Sequence, residues 1–412
     1  MITPAYAPTA TERVLPRLAL DFTTASLDAR VTVTRALNTA TAINNSGVIA
    51  AVNANLPRFD YDPVALTCKG LLIEEARTNL QTYSETFSSW PTLSGASAPN
   101  ATAANPLGGT TVSKLTEDSS SGGHVVGSAD ITISSGATVT LSVYAKPAGR
   151  NWIAVYDSRS TTGKYFDVAN GVIGGNLVGA PVSASITPGP NGYYRCSITV
   201  TAPATIVTPQ VWLASANNTF SYQGNGTSGA YLSAFQTEVG AFATSYIPNL
   251  ATGTTTRNAD VVTMTGTNFS SWWNSTAGTF FTSYQTLVNS SISAARGILT
   301  YDSSGNKLVT YIGGGGTTAS TYDGSSIVAA TGSAVATASK TVMAYSSTGR
   351  AIATNGGTVA TGSAPSAGFL TATLLNIGAL NVSTTGQING YIKAVRYWPQ
   401  RLTNAEIQAF SK

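Results

Sequence analysis

From Thr138 to Ala145 the chain alternates with a period of two. Val139, Leu141, Val143 and Ala145 fall on one side, and Thr138, Thr140, Ser142 and Tyr144 on the other. Only an extended strand sends successive side chains to opposite faces, so this stretch reads as a strand with one face in a core. The pattern returns at Tyr193 to Val200, directly after Pro188-Gly189-Pro190-Asn191-Gly192, where Asn-Gly supplies the positive φ of a tight hairpin. Trp152 to Tyr156 follows the turn signal Pro147-Ala148-Gly149. Ile206 to Leu213 reads as a further strand whose internal Pro209 marks an edge or a bulge. Strands recurring between turns at this spacing specify a β-sandwich.

Composition agrees. Charged residues make up 10% of the 412, against roughly 25% in ordinary domains, and Gly, Ser, Thr and Ala take their place. Between Ser197 and Thr256 the only charge is Glu238. A hydrophobic share of 42% is enough for real cores and argues against disorder. The length suggests two or three domains. The net charge of +4 is spread singly, without the clustered footprint that a phosphate backbone requires, so nucleic acid is not expected as a partner. A hydroxyl- and amide-rich surface suits packing against other subunits, or hydrogen bonding to sugars.

Met1 to Leu20 lacks a basic start followed by an apolar stretch, so no signal peptide is expected and synthesis is assigned to a cytoplasm. No run approaches the ~20 apolar residues of a membrane span, and membrane insertion is not expected. Cys68 and Cys196 make no disulfide framework, and each reads as a buried thiol.

The expected organisation is all-β, with tandem antiparallel sandwiches, an N-terminal extended arm and a short C-terminal helix. Residues 1–17, with Pro4, Pro8 and Pro16, form the arm. Residues 18–75 form a strand-rich region, 76–250 one sandwich and 257–412 a second. The charge-free stretch Pro248 to Thr256 reads as a linker. At the end Thr403 and Glu406 have capping-box spacing, with Leu402 and Ile407 as the hydrophobic staple.

Catalytic chemistry is hard to find. The single histidine, His124, lies in Ser119-Ser-Ser-Gly-Gly-His124 and reads as an exposed loop residue, not a held imidazole. One histidine and two distant cysteines make no structural zinc site. Glycosidase chemistry needs paired carboxylates, yet Glu74 and Glu75 are adjacent and face opposite ways on a strand. Asp60 and Asp62 run into Pro63. No phosphate-binding or dinucleotide fingerprint is present. No catalytic residue, metal ligand or cofactor is therefore assigned. The remaining candidates are aromatics that could stack on sugars: Trp152, Tyr156, Trp212 and Tyr222, with Trp212 favoured because its strand reads as an edge. Trp272, Trp273 and Tyr311 are weaker ones. The plainer alternative for any of them is core or interface filler.

Two blocks of sequence carry a resemblance. The first is Pro57-Arg-Phe-Asp-Tyr-Asp62, then Lys69-Gly-Leu-Leu-Ile-Glu-Glu-Ala-Arg-Thr-Asn-Leu80, continuing through Tyr83-Ser-Glu85, Phe87 and Trp90. The second is Tyr222-Gln-Gly-Asn-Gly-Thr-Ser-Gly229, Gln236-Thr-Glu238, Phe242-Ala-Thr-Ser-Tyr-Ile-Pro248 and Thr256-Arg-Asn-Ala-Asp260. Both resemble signatures of tailed-phage and prophage structural proteins whose intervening part is similar to a carbohydrate-binding-module jelly roll. Asn268-Phe-Ser-Ser-Trp-Trp-Asn274, Gly278-Thr-Phe280 and Arg396-Tyr-Trp-Pro-Gln-Arg-Leu402 resemble a concanavalin A-like (laminin G-like) domain.

The resemblance implies a non-enzymatic virion part: a tail fibre, tail tip, collar or head appendage. Its partners would be other virion proteins, further copies of itself (a trimer among the options) and host-surface polysaccharide. Alternatives are a purely architectural connector and, last, a polysaccharide depolymerase, although the clustered acids of glucanases of that fold are missing. Within the blocks Arg58, Asp60, Glu74, Arg77, Asn79 and Glu238 read as a structural motif. Asp60 or Glu74 would pair with Arg58 or Arg77, and Arg77 and Asn79 would tie loop carbonyls.

Overall fold

A computed structural model describes residues 15–287, 296–301, 308–312, 319–322, 327–329, 338–364, 372–380 and 386–412. Most of the arm expected at 1–17 therefore lies outside the described residues. The chain divides into two compact units, one made of residues 1–32 with 261–412, the other of residues 33–260. The region 18–75 is thus shared between them. Among the described residues the protein is built almost wholly from antiparallel strands, with two short α-helices.

In the unit formed by the two ends of the chain, one sheet runs Ala360–Gly362, Gly349–Thr354, Ala338–Ser346, Ala277–Thr286, Gly390–Trp398 and Leu18–Asp21. The other runs Val261–Thr265, Leu374–Ile377, Arg296–Tyr301, Leu308–Ile312, Ala319–Tyr322 and Ile327–Ala329. The expected helix spans Asn404–Phe410. Thr403 accepts from Glu406 N and the Glu406 carboxylate accepts from Thr403 N, a complete capping box. At two turns it is too short to stand alone. It is held by Ile407 and Leu402 packing with Phe281, Val342 and Trp398, and by Phe410 stacked on Trp398 at 5.3 Å.

The unit 33–260 is a two-sheet sandwich. Its first sheet runs Asn100–Thr102, Thr111–Glu117, Gly229–Val239, Thr138–Ala148, Tyr194–Thr201 and Ser183–Pro188. The expected hairpin joins the last two, with Asn191 at φ 54° and Gly192 at φ 77°. The second sheet runs Val172–Val178, Thr162–Asp167, Trp152–Asp157, Pro209–Ala214 and Ser121–Gly127, with short strands Thr92–Ser94 and Ser221–Gln223 on the last. Leu115, Leu141, Val143, Cys196 and Ile198 from one sheet meet Val126, Ile153, Phe166, Val211 and Leu213 from the other in a continuous core. Both cysteines are free thiols; Cys196 is buried and Cys68 half-buried.

A bulge in the first sheet decides what covers its back. Ser142 pairs with Gln236 but Tyr144 pairs with Ser233, and Ala234 in between has φ 51°. One extra residue reverses which side chains face inward. Ala230 and Leu232 point into the core before the bulge, and Phe235 does so after it. Gln236 and Glu238 are thereby turned away from the core. Gln236 Oε1 accepts from Ile247 N at 2.6 Å, and Glu238 accepts from Thr244 N at 2.9 Å and Thr244 Oγ1 at 2.5 Å. Ala234 joins Ile49, Val112, Tyr144, Tyr193 and Tyr246 in an apolar cluster on this side. The hairpin Ala40–Ile43/Ile49–Val52 contributes to that cluster and so adds a third layer.

The stretch expected as a linker is tied down instead. Asn249 donates to Gln81 O and Gly253 O at 2.9 Å each, and Thr255–Arg257 pairs with Arg77–Asn79. Amide side chains do the fastening here, which is why the lack of charge looked like freedom.

Between these layers lies a buried ion cluster. Arg58 reaches Glu74 Oε2 at 2.7 Å and pairs with Asp260 through its second terminal nitrogen. Arg35 meets Asp260 at 2.8 Å and Arg257 meets Glu74 at 2.9 Å. Ser245 donates to Glu74 from N at 2.8 Å and from Oγ at 2.6 Å. Burial alone would raise the Glu74 pKa. Arg257, Arg58 and the Ser245 bonds outweigh it and hold the carboxyl at about 2, below its ordinary 4.5. The lowered value means that Glu74 adds stability above pH 4.5, which is lost as the pH falls from there toward about 2. Glu74→Gln should cost about 3–5 kcal/mol at pH 7, because two arginines are left underpaired in a dry site. Denaturant unfolding across acid pH should show a flatter decline for the variant than for the wild type, and equal slopes would contradict this role.

Candidate functional site

The outer face of the second sheet of the 33–260 unit carries three of the four aromatics expected to stack on sugar. Register fixes the pattern. One cross-strand row reads Gly127, Gln210, Tyr156, Gly163; the next reads Val125, Trp212, Ala154, Tyr165. A third brings together Ala214, Trp152 and Asp167. The rows between them, such as His124, Leu213, Ile153 and Phe166, face the core. Large rings thus alternate with small residues in both directions over the sheet.

The small residues leave room for the rings. A Cβ on Gly123 would overlap the six-membered ring of Trp212. One on Gly163 would stand 2.8 Å from Tyr156 Cδ2, and one on Gly174 2.6 Å from Trp152 Cζ3. Each ring therefore lies over a glycine, where any side chain would lift it off the sheet. Ala154, Tyr165, Leu177 and Ala214 are buried beneath, while Trp152, Tyr156 and Trp212 remain half-buried. Tyr156 stands at 89° to Trp212 with centroids 6.4 Å apart, and Phe220 at 88° with centroids 5.2 Å apart. Phe220 is 37% exposed. Trp212 Nε1 donates to Gln210 Oε1 at 2.9 Å. Burial and the neighbouring Asp157 raise the Tyr156 pKa, so its hydroxyl stays protonated and able to donate at neutral pH.

Trp212 does not lie on an edge. Its strand runs between Trp152–Asp157 and Ser121–Gly127, with Pro209 as its first residue, where a missing N–H is tolerated. The central position is what sets Trp212 between the other rings.

Tyr222 lies elsewhere, in a polar node on Ser221–Gln223. Its hydroxyl donates to Glu117 Oε2 at 2.7 Å, Arg150 lies 4.8 Å from its ring centroid, and His124 lies 4.6 Å away, ring to ring. Arg150 grips Glu117 with two bonds of 2.6 Å, and Asn225 N donates to Glu117 at 2.9 Å. Burial would raise the Glu117 pKa, but these bonds lower it. His124 is fully buried on the strand Ser121–Gly127, not exposed in a loop. The surrounding Ser and Gly residues disguised a strand. The node anchors the loop that carries Phe220, while Asn217 Oδ1 accepts from Gly175 N at 2.8 Å on its other side.

The motif residues all make contacts within the fold. Arg58 and Glu74 sit in the ion cluster. Asp60 meets Lys69 at 2.7 Å and accepts from Ile43 N at 2.7 Å. Arg77 pairs with Glu75 at 2.5 Å, donates to Val239 O and lies 4.8 Å from the Phe242 ring centroid. Asn79 donates to Ile247 O at 2.8 Å and accepts from Thr237 N at 3.1 Å. Trp272 is buried in an aromatic cluster with Phe269 and Tyr397. Sequence reasoning missed Gln210 and Phe220 and the role of Gly123, Gly163 and Gly174. The two-residue offset between Gln210 and Trp212 was the available signal. Among the described residues no three His, Cys, Asp or Glu side chains gather as metal ligands, and no helix is long and apolar enough to cross a membrane.

No family model and no curated protein matches the chain. Among solved structures, the CBM40 module of a Ruminococcus gnavus IT-sialidase bound to α2,3-sialyllactose is similar at 14% identity and TM-score 0.29, over 33% of this chain and 82% of that one. A second structure of the module gives 14% and 0.28, over 34% and 84%. Domains LG4-5 of the mouse laminin α1 chain give 11% and 0.23, over 70% and 88%.

Gly123→Ala should leave the backbone unchanged and push the Trp212 ring toward solvent. Acrylamide quenching of tryptophan fluorescence should rise in Gly123→Ala but not when the same change is made in a Trp212→Phe background. A rise in both backgrounds would mean that the ring does not rest on Gly123.

Proposed function

We propose that the protein is a glycan-adhesive structural component of a tailed-phage virion, in which the aromatic face of the 33–260 sandwich grips host-surface polysaccharide. The observation that carries the adhesive part is the set of half-buried rings seated on glycines, with Gln210 beside them. Rings fixed in advance lose little freedom on binding, and pyranose rings present apolar C–H faces to such a surface while neighbouring amides serve their hydroxyls. The virion part draws its support from the resemblance of the two sequence blocks. A tail fibre, tail tip, collar or head appendage fits equally, assembled with other virion proteins and further copies of the chain. A non-enzymatic role is favoured because Glu74 and Asp260, two acids that the fold brings together on Arg58, are fully engaged by arginines and closed to solvent.

A purely architectural connector is the second reading. It is favoured by the strand Val172–Val178, which ends its sheet with Val172 50%, Ile173 40% and Val178 69% exposed. Exposed apolar edges of this kind mark association sites.

One experiment separates the two. The purified protein is incubated with a panel of bacterial envelopes and their extracted polysaccharides, beside Tyr156→Ala/Trp212→Ala. The adhesive reading expects retention of the wild type and at least a tenfold loss in the variant, with oligomer size by light scattering unchanged; tenfold is about 1.4 kcal/mol. Equal retention of both proteins, or a change of oligomer size as the only effect, would exclude the face as a glycan site.

A further inference from the structure

The outer face described above contains no cation. Across its three rows the single charged residue is Asp167, and it is 7% exposed and occupied. It accepts from Ala169 N at 3.0 Å, Asn170 N at 3.1 Å and Asn170 Nδ2 at 2.9 Å. The arginines that flank the central strand Trp152–Asp157 in sequence each have an acidic partner, Arg150 partly buried and Arg159 half-exposed. Arg150 is held by Glu117 through two bonds, and Arg159 meets Asp130 at 2.6 Å and Thr208 Oγ1 at 3.0 Å. The polar groups around the rings include the Tyr156 hydroxyl and two amides. Gln210 accepts the Trp212 N–H through its oxygen, which leaves its NH2 as a donor. Asn217 likewise spends its oxygen on Gly175 N.

Sugars that carry carboxylate, sulfate or phosphate are recognised by guanidinium or ammonium groups, whose charge-assisted bonds repay the cost of desolvating the anion. A face of aromatic rings and amide donors with no cation in its three rows offers no such repayment, and Asp167 adds weak repulsion. We infer that the ligand of this face is a neutral glycan, a polymer of uncharged hexopyranoses held by ring stacking and amide hydrogen bonds. The inference rests on the adhesive reading proposed above and narrows it. It also means that binding does not depend on ionic strength, since screening acts only on charged partners.

The test uses the full chain in affinity electrophoresis against two sets of soluble polysaccharides. Dextran, amylose and galactomannan are neutral; alginate, hyaluronate and polysialic acid are anionic. Each is run at about 0.02 M and about 0.5 M NaCl, which spans the range over which surface charge is screened. The expected result is retardation by at least one neutral polymer, changing less than about twofold between the two salt concentrations. Retardation should be lost in Tyr156→Ala/Trp212→Ala and kept in Arg159→Gln. Preference for an anionic polymer, weakened about tenfold by salt yet still abolished by the aromatic double variant, would overturn the neutral assignment and leave the adhesive face standing. Anionic binding abolished by Arg159→Gln would overturn it too, by placing a usable cation at the site. Retardation that survives the double variant, or no retardation by any polymer in either set, would overturn the adhesive reading and this inference with it.

Discussion

Arg58 sits fully buried between Glu74 and Asp260, and most of the 33–260 unit is arranged so that it can. A guanidinium removed from water is tolerated only with its partners in place and its remaining donors satisfied. Here Glu74, Asp260 and Ser245 serve Arg58, and Arg35 and Arg257 balance the two carboxylates; the five come from widely separated parts of the chain, Arg35 near the start of the unit, Glu74 before the first long strand, Ser245 after the bulged strand, and Arg257 and Asp260 at the exit. Apolar residues in those places would bury as much surface but would not specify which segments meet. The cluster therefore fixes the path of the chain around the back of the first sheet. The bulge at Ala234 cooperates by turning Glu238 outward to hold Thr244, next to Ser245.

Much of the sandwich was legible in the sequence because period-two alternation survives wherever a strand has one wet face. Thr138–Ala148 and Tyr194–Thr201 were found by their pattern, and the C-terminal helix by its cap. The motif residues were named as structural, and Arg58 with Glu74 was among the pairings expected. What could not be read was register. The alignment of Trp212 with Ala154, or of Tyr156 with Gly163, is a property of pairing and leaves no local mark. His124 was misplaced for a related reason. Gly and Ser beside it look like loop residues, yet here they let one strand pair with two partners along its length. The stretch around Asn249 was misread because fastening by amides carries no charge pattern.

The two faces of the second sheet show how one strand serves two purposes. In Trp152–Asp157 the odd-numbered Ile153 and Val155 fill the core, and the even-numbered Trp152 and Tyr156 lie half-buried on the outer face. The outer rings rest on a buried floor of Ala154, Tyr165, Leu177 and Ala214. A surface supported in this way keeps its shape, because interiors packed at this density resist deformation. Glycine at positions 123, 163 and 174 is then a requirement of the surface and not of the backbone turn.

The pairing of Leu18–Asp21 with Ala394–Tyr397 sets an order of events. Leu18 and Leu20 are 0% and 2% exposed once paired, but their partner is made only after residues 33–260. The whole of residues 33–260 lies between them, with an apolar core drawn from its own strands. Domains fold as units from the N-terminal side during synthesis, and distant strand pairings come late. The inserted sandwich is thus complete while the first strand still waits with its apolar side chains uncovered. That interval, longer the slower translation runs, is when a chain of this layout is most exposed to pairing its leading strand with the wrong molecule.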